Sequence, residues 1–344
     1  GTMADKHVAD GKTVTLGTLA LGDGMNGGLA SNYTLTGGTH TVDIIAAPIM
    51  ISAENISKTY DGGLAAPTTA RVYSGQLFDT DTILGGTFAF TDKNVGYANK
   101  TITVSDVTVN DGNGGGNYAI TYVDNTTSTI NPYVVDLSGS RVYDGTLEVA
   151  AGVFSLSALV GTETLTLTGI GRMDDKNVGI HKAVTTGTLA LGDGMNGGLA
   201  GNYTLEGGTH TVNIGKATAA LSGVAALNKV YDATTAAAVS TAGAAFAGKY
   251  GNDVLTVSST GTFSDKNVAA GKTVTLVNTF GGSDLGNYNI TDQATTTADI
   301  TKATVTLSGI TASNKVYDQT TVATTNTAGA AFAGKYAGDV LTVS

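Results

Sequence analysis

The 344 residues include no Cys, no Trp, 48 Gly and only 3 Pro, with a formal net charge of -10 at pH 7. The lack of Cys excludes disulfides, thiolate chemistry and Cys-based zinc sites, and an acidic chain without any Lys/Arg cluster argues against nucleic acid as a partner. Hydrophobic residues at 41% against 13% charged place the chain outside the disordered class, and no apolar run approaches the roughly 18 residues that would predict membrane insertion.

Taken in order, the chain opens inside a repeat. GTMADKHV aligns with the stretch from Gly171 to Val178, and Val14 to Asp43 runs almost identically to Val184 to Asn213, with LALGDGMNGGLA in both. Residues 1–47 therefore read as the C-terminal half of a repeat. Three whole repeats follow at 48–133, 134–216 and 217–303, and residues 304–344 are the N-terminal half of another, since Leu307 to Ser344 closely repeats Leu221 to Ser258. Within each repeat, stretches such as TTARVYSG, TILGGTFAFTD, KTITVSDVTVN, NYAITYVDN and STINPYVVDLSG alternate apolar with polar residues between Gly, Asp and Asn turns. The prediction is about six or seven strands per repeat and no helix. The fold class expected is all-β, a tandem array of small antiparallel, Ig-like β-sandwich modules. Junctions such as TINPYVVDLSG and DITKATVTLSG leave no slack for a flexible linker, which predicts an elongated, semi-rigid rod. The two partial repeats suggest a piece of a longer array, and complementary halves that could be completed by another copy.

Three markers keep the phase. The first is SKTYDGG (Tyr60, Asp61), returning as SRVYDGT (Tyr143, Asp144), NKVYDAT (Tyr231, Asp232) and NKVYDQT (Tyr317, Asp318). It reads as a strand entering a type I or Asx turn, in which Asp accepts from an amide two residues on. The next position is Gly in two copies but Ala233 and Gln319 in the others, so a left-handed backbone is not expected to be required there. The second marker is Asn-Tyr, at Asn32-Tyr33, Asn117-Tyr118, Asn202-Tyr203 and Asn287-Tyr288, each 85 residues after the last. The third is DKNV at Asp92, Asp175 and Asp265, with DKHV at Asp5. All these residues are assigned structural rather than chemical roles.

Little else suggests chemistry. The Gly/Asp loops around Asp23, Asp111, Asp193 and Asp284 contain oxygen ligands suited to calcium, but without EF-hand spacing, and tight turns demand the same residues; no cofactor is the primary expectation. His7, His40, His181 and His210 recur only between the two duplicated stretches, no Ser-His-Asp order repeats, and Glu is too scattered for a catalytic pair, so no enzyme activity is expected. Lys58, Lys229 and Lys315 precede the motif Tyr and raise the possibility of an intramolecular Lys-Asn bond, which Arg141 rules out in its own repeat.

The linked K/R-V/T-Y-D-G/x-T, DKNVG and GNY markers resemble the YDG-type repeats of large bacterial adhesins, including filamentous haemagglutinin-like proteins exported by two-partner secretion. The resemblance covers essentially the whole chain. It implies an extracellular location, on a bacterial cell surface or in a biofilm matrix, and a structural or adhesive role as stalk or fibre. The expected partners are neighbouring modules, other copies joined head to tail, and a host or matrix receptor that the residues do not name. A second reading, from another class, is a lectin-like array in which the Gly/Asp loops hold carbohydrate or calcium and repetition supplies avidity.

Overall fold

The computed structural model describes residues 1–344. The chain is all-β: helical backbone is confined to single three-residue turns such as Ala200–Asn202 and Leu285–Asn287. It folds as two compact units. One comprises Gly1–Leu137, Ser155–Gly169 and Thr188–Thr209; the other comprises Ser138–Phe154, Ile170–Gly187 and His210–Ser344.

The first unit begins with an antiparallel pair, β1 (Ala9–Thr13) and β2 (Thr41–Ile44). Seven strands then follow: β3 (Ala47–Ala53), β4 (Ser57–Thr59), β5 (Ala70–Ser74), β6 (Thr82–Phe90), β7 (Gly96–Asn110), β8 (Tyr118–Tyr122) and β9 (Asn125–Asn131). They form two sheets, of order β5-β3-β8 and β4-β9-β7-β6. The expected antiparallel pairing holds for β6 with β7 and for β7 with β9. The first and last strands of each sheet region break it: β3 runs parallel to β8, and β4 parallel to β9. Residue alternation reports which face a side chain takes and is silent on strand direction, so sequence alone could not separate the two.

The buried faces carry the apolar half of the alternation. Ile49, Ile51 and Ala53 on β3, Phe90 on β6 and Ile130 on β9 are almost fully buried. On β7 the alternation slips once: Ile102 and Val104 face inward, and after Ser105 and Asp106 so do Val107 and Val109. A kink of left-handed residues, Asp106 at φ 56 with Gly85 and Gly86 opposite it on β6 at φ 68 and 116, makes both strands slip together, so their register is unbroken. Without it, every residue beyond would change face. The remainder of this unit adds an antiparallel pair, Leu165–Thr168 with Ala190–Asp193, and a parallel pair, Tyr133–Val134 with Tyr203–Thr204.

The second unit repeats the plan. Ala217–Ser222 lies between Ala245–Ala247, antiparallel, and Tyr288–Thr291, parallel. Facing these is a five-stranded sheet that includes Ala269–Gly281 at its centre. Leu221, Val224, Phe263, Val274, Leu276, Ala298 and Ile300 make the core between them. Farther along, Thr306–Ser308 pairs with Ala331–Ala333 in a two-stranded sheet.

One expectation about the YDG turn is overturned. The residue after the motif Asp is left-handed in every copy: Gly62 at φ 76, Gly145 at 77, Ala233 at 62 and Gln319 at 59. Ala and Gln are held there by the bonds that close the turn, described next, which outweigh a local cost of about 1–2 kcal/mol.

Candidate functional site

In each YDG turn the Asp Oδ1 accepts from the amide two residues on, at Gly63, Thr146, Thr234 and Thr320, over 2.9 to 3.0 Å. The basic residue before the Tyr closes the turn from the other side. Lys58 Nζ donates to Asp61 Oδ1 at 2.9 Å and to the carbonyls of Gly63 and Ala65; Lys229 donates to Asp232 at 2.8 Å and to the carbonyls of Thr234 and Ala236. Lys315 donates to Asp318 and the Thr320 carbonyl, and Arg141 meets Asp144 while its other terminal nitrogen donates to the Thr146 carbonyl at 2.9 Å. The Lys ammonium groups thus bind turn oxygens rather than an Asn side chain, which removes the geometric basis for the Lys-Asn bond. The guanidinium does the same work in its repeat.

This turn delivers the motif Tyr, ring inward, to an acid that belongs to the next repeat. Tyr60, 1% exposed, donates its hydroxyl to Glu163 Oε1 at 2.6 Å, and Tyr203 donates to Glu163 Oε2 at 2.7 Å. Lys93 Nζ lies 3.3 Å from Glu163 Oε1 and 5.9 Å above the Tyr60 ring. Tyr60 and Tyr203 meet edge to face at 5.6 Å. In the second unit Asp253 has the same surroundings: Tyr143 and Tyr288 each donate to Oδ2 at 2.7 Å, and Lys176 pairs with Oδ1. A third acid, Asp339, accepts from Tyr231 at 2.8 Å and from Lys266 at 3.2 Å. Each is a carboxylate clamp, built from hydroxyl-to-carboxylate bonds of the short, charge-assisted kind. The motif phenol and the ammonium come from one repeat, and the carboxylate, with the Asn-Tyr phenol where there is one, from its successor. Tyr118 donates to Asp81 at 2.6 Å in the same manner.

The remaining markers meet beside the clamp. Asn202 Oδ1 accepts from the Val95 amide at 3.0 Å, and its amide nitrogen donates to Asn94 Oδ1 at 2.9 Å. Asn287 treats Val178 and Asn177 identically, at 2.9 and 3.0 Å. Asn117 accepts from Val8 at 2.9 Å and donates toward His7 Nδ1 at 3.2 Å, so His7 takes the place that Asn fills elsewhere. DKNV is an Asx turn that presents this Asn and Val: Asp92, Asp175 and Asp265 accept from the amides of Asn94, Asn177 and Asn267.

Burial raises the Glu163 carboxyl, but Tyr60, Tyr203 and Lys93 outweigh it and hold it below its ordinary value. Asp253 is held low in the same way by Lys176, Tyr288 and Tyr143 against burial. The phenols move oppositely: burial, then the bond to Asp253, pushes Tyr288 up to about 12. Both directions favour an ionised acid facing neutral phenols at neutral pH.

The Gly/Asp loops direct their carboxylates at backbone amides. Asp23 and Asp193 accept from Ala30 at 2.6 Å and Ala200 at 2.8 Å, Asp111 accepts from Asn113, Gly115 and Asn117, and Asp284 accepts from Val254. The four loops remain apart from one another in sequence and gather no cluster of three acidic or His side chains. His181 occupies a bulge at φ 50, where the matching residues are Gly11 and Gly271. His40 accepts through its carbonyl from Val14, and His210 opens the strand His210–Gly215. Tyr33 and Tyr317 are exposed, at 69% and 87%.

Sequence reasoning missed two sets of residues. The clamp acids sit two positions before a Leu or Ile in every copy, as Asp81-Thr-Ile83, Glu163-Thr-Leu165, Asp253-Val-Leu255 and Asp339-Val-Leu341; the Asp/Glu exchange and uneven spacing hide the pattern. A Lys also follows each DKNV Asp by seven or eight residues, and Lys12, Lys100, Lys182 and Lys272 each pair with that Asp.

Fold and clamps together define a repeat-built β-protein whose recurrent residues join one repeat to the next. A family model described as the YDG domain matches three times, at residues 45–129, 125–211 and 215–298, and the chain belongs to that family. Comparison with curated proteins and with solved structures finds no match.

Proposed function

We propose that this chain is a structural and adhesive repeat region, a stalk or fibre segment, of a bacterial protein displayed at the cell surface or in a biofilm matrix. The observation that carries this reading is the clamp of Tyr60, Lys93 and Tyr203 on Glu163, with its counterpart on Asp253. The most regular residues of the sequence converge on inter-repeat bonds, as a load-bearing array requires. Each bond in series must resist separation for the array to transmit tension. The chain has no Cys for disulfide staples, and buried charge-assisted hydrogen bonds link the repeats instead.

Two experiments test the reading. Stretching the chain between its ends should give separate unfolding events whose force falls when Tyr60 and Tyr143 are both changed to Phe. Unchanged force would remove the mechanical role. An antibody against residues 48–303 should label intact cells that produce the protein, and labelling only after permeabilisation would remove the surface location.

A further inference from the structure

The Glu163 and Asp253 clamps each set two tyrosines from successive repeats against one buried carboxylate. Tyr143 and Tyr288 both donate to Oδ2 of Asp253 at 2.7 Å, and their rings meet edge to face with centroids 5.5 Å apart. Because the two hydroxyls converge on one oxygen atom, the ring edges that carry the carbons ortho to them face the same point. Tyr60 and Tyr203 meet in the same way on the two oxygens of Glu163, with centroids 5.6 Å apart. A third ring leads outward from each pair. Tyr250, 42% exposed, lies 6.1 Å from Tyr143, and the half-buried Tyr133 lies 5.9 Å from Tyr203.

This arrangement favours loss of an electron. The chain has neither Cys nor Trp, so tyrosine is the side chain from which a single electron is most readily taken. A phenol that loses an electron becomes a strong acid, and one already bonded to a carboxylate hands its proton across that bond as the electron leaves. Tyr60, Tyr143, Tyr203 and Tyr288 have such a base in place, whereas the exposed Tyr73 and Tyr97 have only water. Oxidising equivalents therefore come to rest at the clamps. Both rings of each pair are almost fully buried, which shields a radical from solutes and from other chains and leaves it its partner ring to react with.

We infer that the two clamps are oxidative cross-linking sites, at which hydrogen peroxide acting through a haem peroxidase joins Tyr143 to Tyr288 and Tyr60 to Tyr203 as dityrosine. Tyr143 loses one electron through Tyr250 and its proton to Asp253, which releases the proton past the partly exposed Lys176 to solvent. Tyr288 then loses an electron and a proton by the same route. The two radicals form one carbon-carbon bond between their ortho positions, and the hydrogens on those carbons move to the oxygens to restore both phenols. In all, two electrons and two protons leave the pair, and they reduce one hydrogen peroxide to two waters. The product replaces a hydrogen-bonded junction by a covalent one between successive repeats. The inference deepens the inter-repeat role proposed above and rests on it.

Treating the 344-residue chain at low micromolar concentration with hydrogen peroxide and a haem peroxidase tests it. Dityrosine fluorescence should appear, and peptide mapping by mass spectrometry should find Tyr143 joined to Tyr288 and Tyr60 joined to Tyr203 within single chains, each pair lighter by two hydrogens. Tyr288→Phe should abolish the first cross-link and spare the second, and Tyr203→Phe should do the converse. The map of the unaltered chain needs no variant, so the test stands even where a substitution impairs folding. Absence of dityrosine, or dityrosine confined to exposed residues such as Tyr73 and Tyr97 or to bonds between chains, would overturn the inference. The force experiment on Tyr60 and Tyr143 uses the unoxidised chain, so failure here is distinguishable from failure of the mechanical role.

Discussion

Tyr60 Oη lies 2.6 Å from Glu163 Oε1, across 103 residues of sequence. The pair joins a strand end in one repeat to a loop acid in the next, and the same relation links Tyr143 to Asp253. Changing Tyr60 to Phe keeps the buried ring and deletes only this bond. The expected loss is about 1.5–3 kcal/mol, as for other hydrogen bonds to charged acceptors. A double-mutant cycle with Glu163→Gln in denaturant unfolding should show coupling between the two positions; additive effects would mean that the bond contributes nothing of its own.

The clamps set a pH window. Glu163 and Asp253 have lowered folded values, so their contribution is present above the unfolded carboxyl range, about pH 4, and is lost as pH falls through the lowered values. Tyr288 is raised to about 12, so its contribution is present below the unfolded phenol value near 10 and lost as pH rises through about 12. Thermal melting should be flat between these limits and fall outside them. Absorbance titration of tyrosinate should show a late-titrating fraction, to which the raised Tyr60, Tyr118, Tyr143 and Tyr203 also contribute, and Tyr288→Phe should lower it by one tyrosine.

Ala233 is a misfit by backbone alone. It sits at φ 62, where Gly62 and Gly145 supply the same conformation without a Cβ. Ala233→Gly should therefore stabilise the second unit by about 0.5–1 kcal/mol, the left-handed penalty less the added freedom of Gly in the unfolded chain. The reverse change, Gly62→Ala, should destabilise, because a Cβ there would lie 2.9 Å from Val160 Cγ1. Equal midpoints for wild type and Ala233→Gly would contradict the strained turn.

Lys229 holds the Asp232 carboxyl at about 2, with help from the Thr234 amide. In Lys229→Met that carboxyl should titrate closer to its ordinary value near 4, whereas Lys229→Arg should keep it low, as Arg141 pairs with Asp144 in another repeat. Carbon-detected NMR titration of Asp232 separates the two variants.

Asn202 accepts from Val95 while only 2% exposed. Asn202→Ala strands that amide and Asn94 together, and should cost about 1–3 kcal/mol. Amide exchange at Val95 should accelerate with it, and persistent protection would show that the bond does not anchor the DKNV turn.

By itself the sequence determined the period, the all-β class and the positions of the turns. These are local properties: alternation reports burial on a pleated strand, and Asp followed by Gly or Thr closes a turn with its own neighbours. It also marked Tyr60, Asn202 and their equivalents as recurrent. Only the tertiary structure decided what that recurrence is for. Strand direction, the left-handed kink at Asp106 and the left-handed backbone of Ala233 depend on partners that alternation does not encode. The clamp depends on more distant ones still. Glu163 and Asp253 differ in type and spacing, and nothing local distinguishes them from a solvated loop acid until the fold removes water and sets two phenols and an ammonium around each. Hydrogen bonding in a dry pocket is a property of the assembled neighbourhood, which is why the Tyr was legible in the sequence and its acceptor was not.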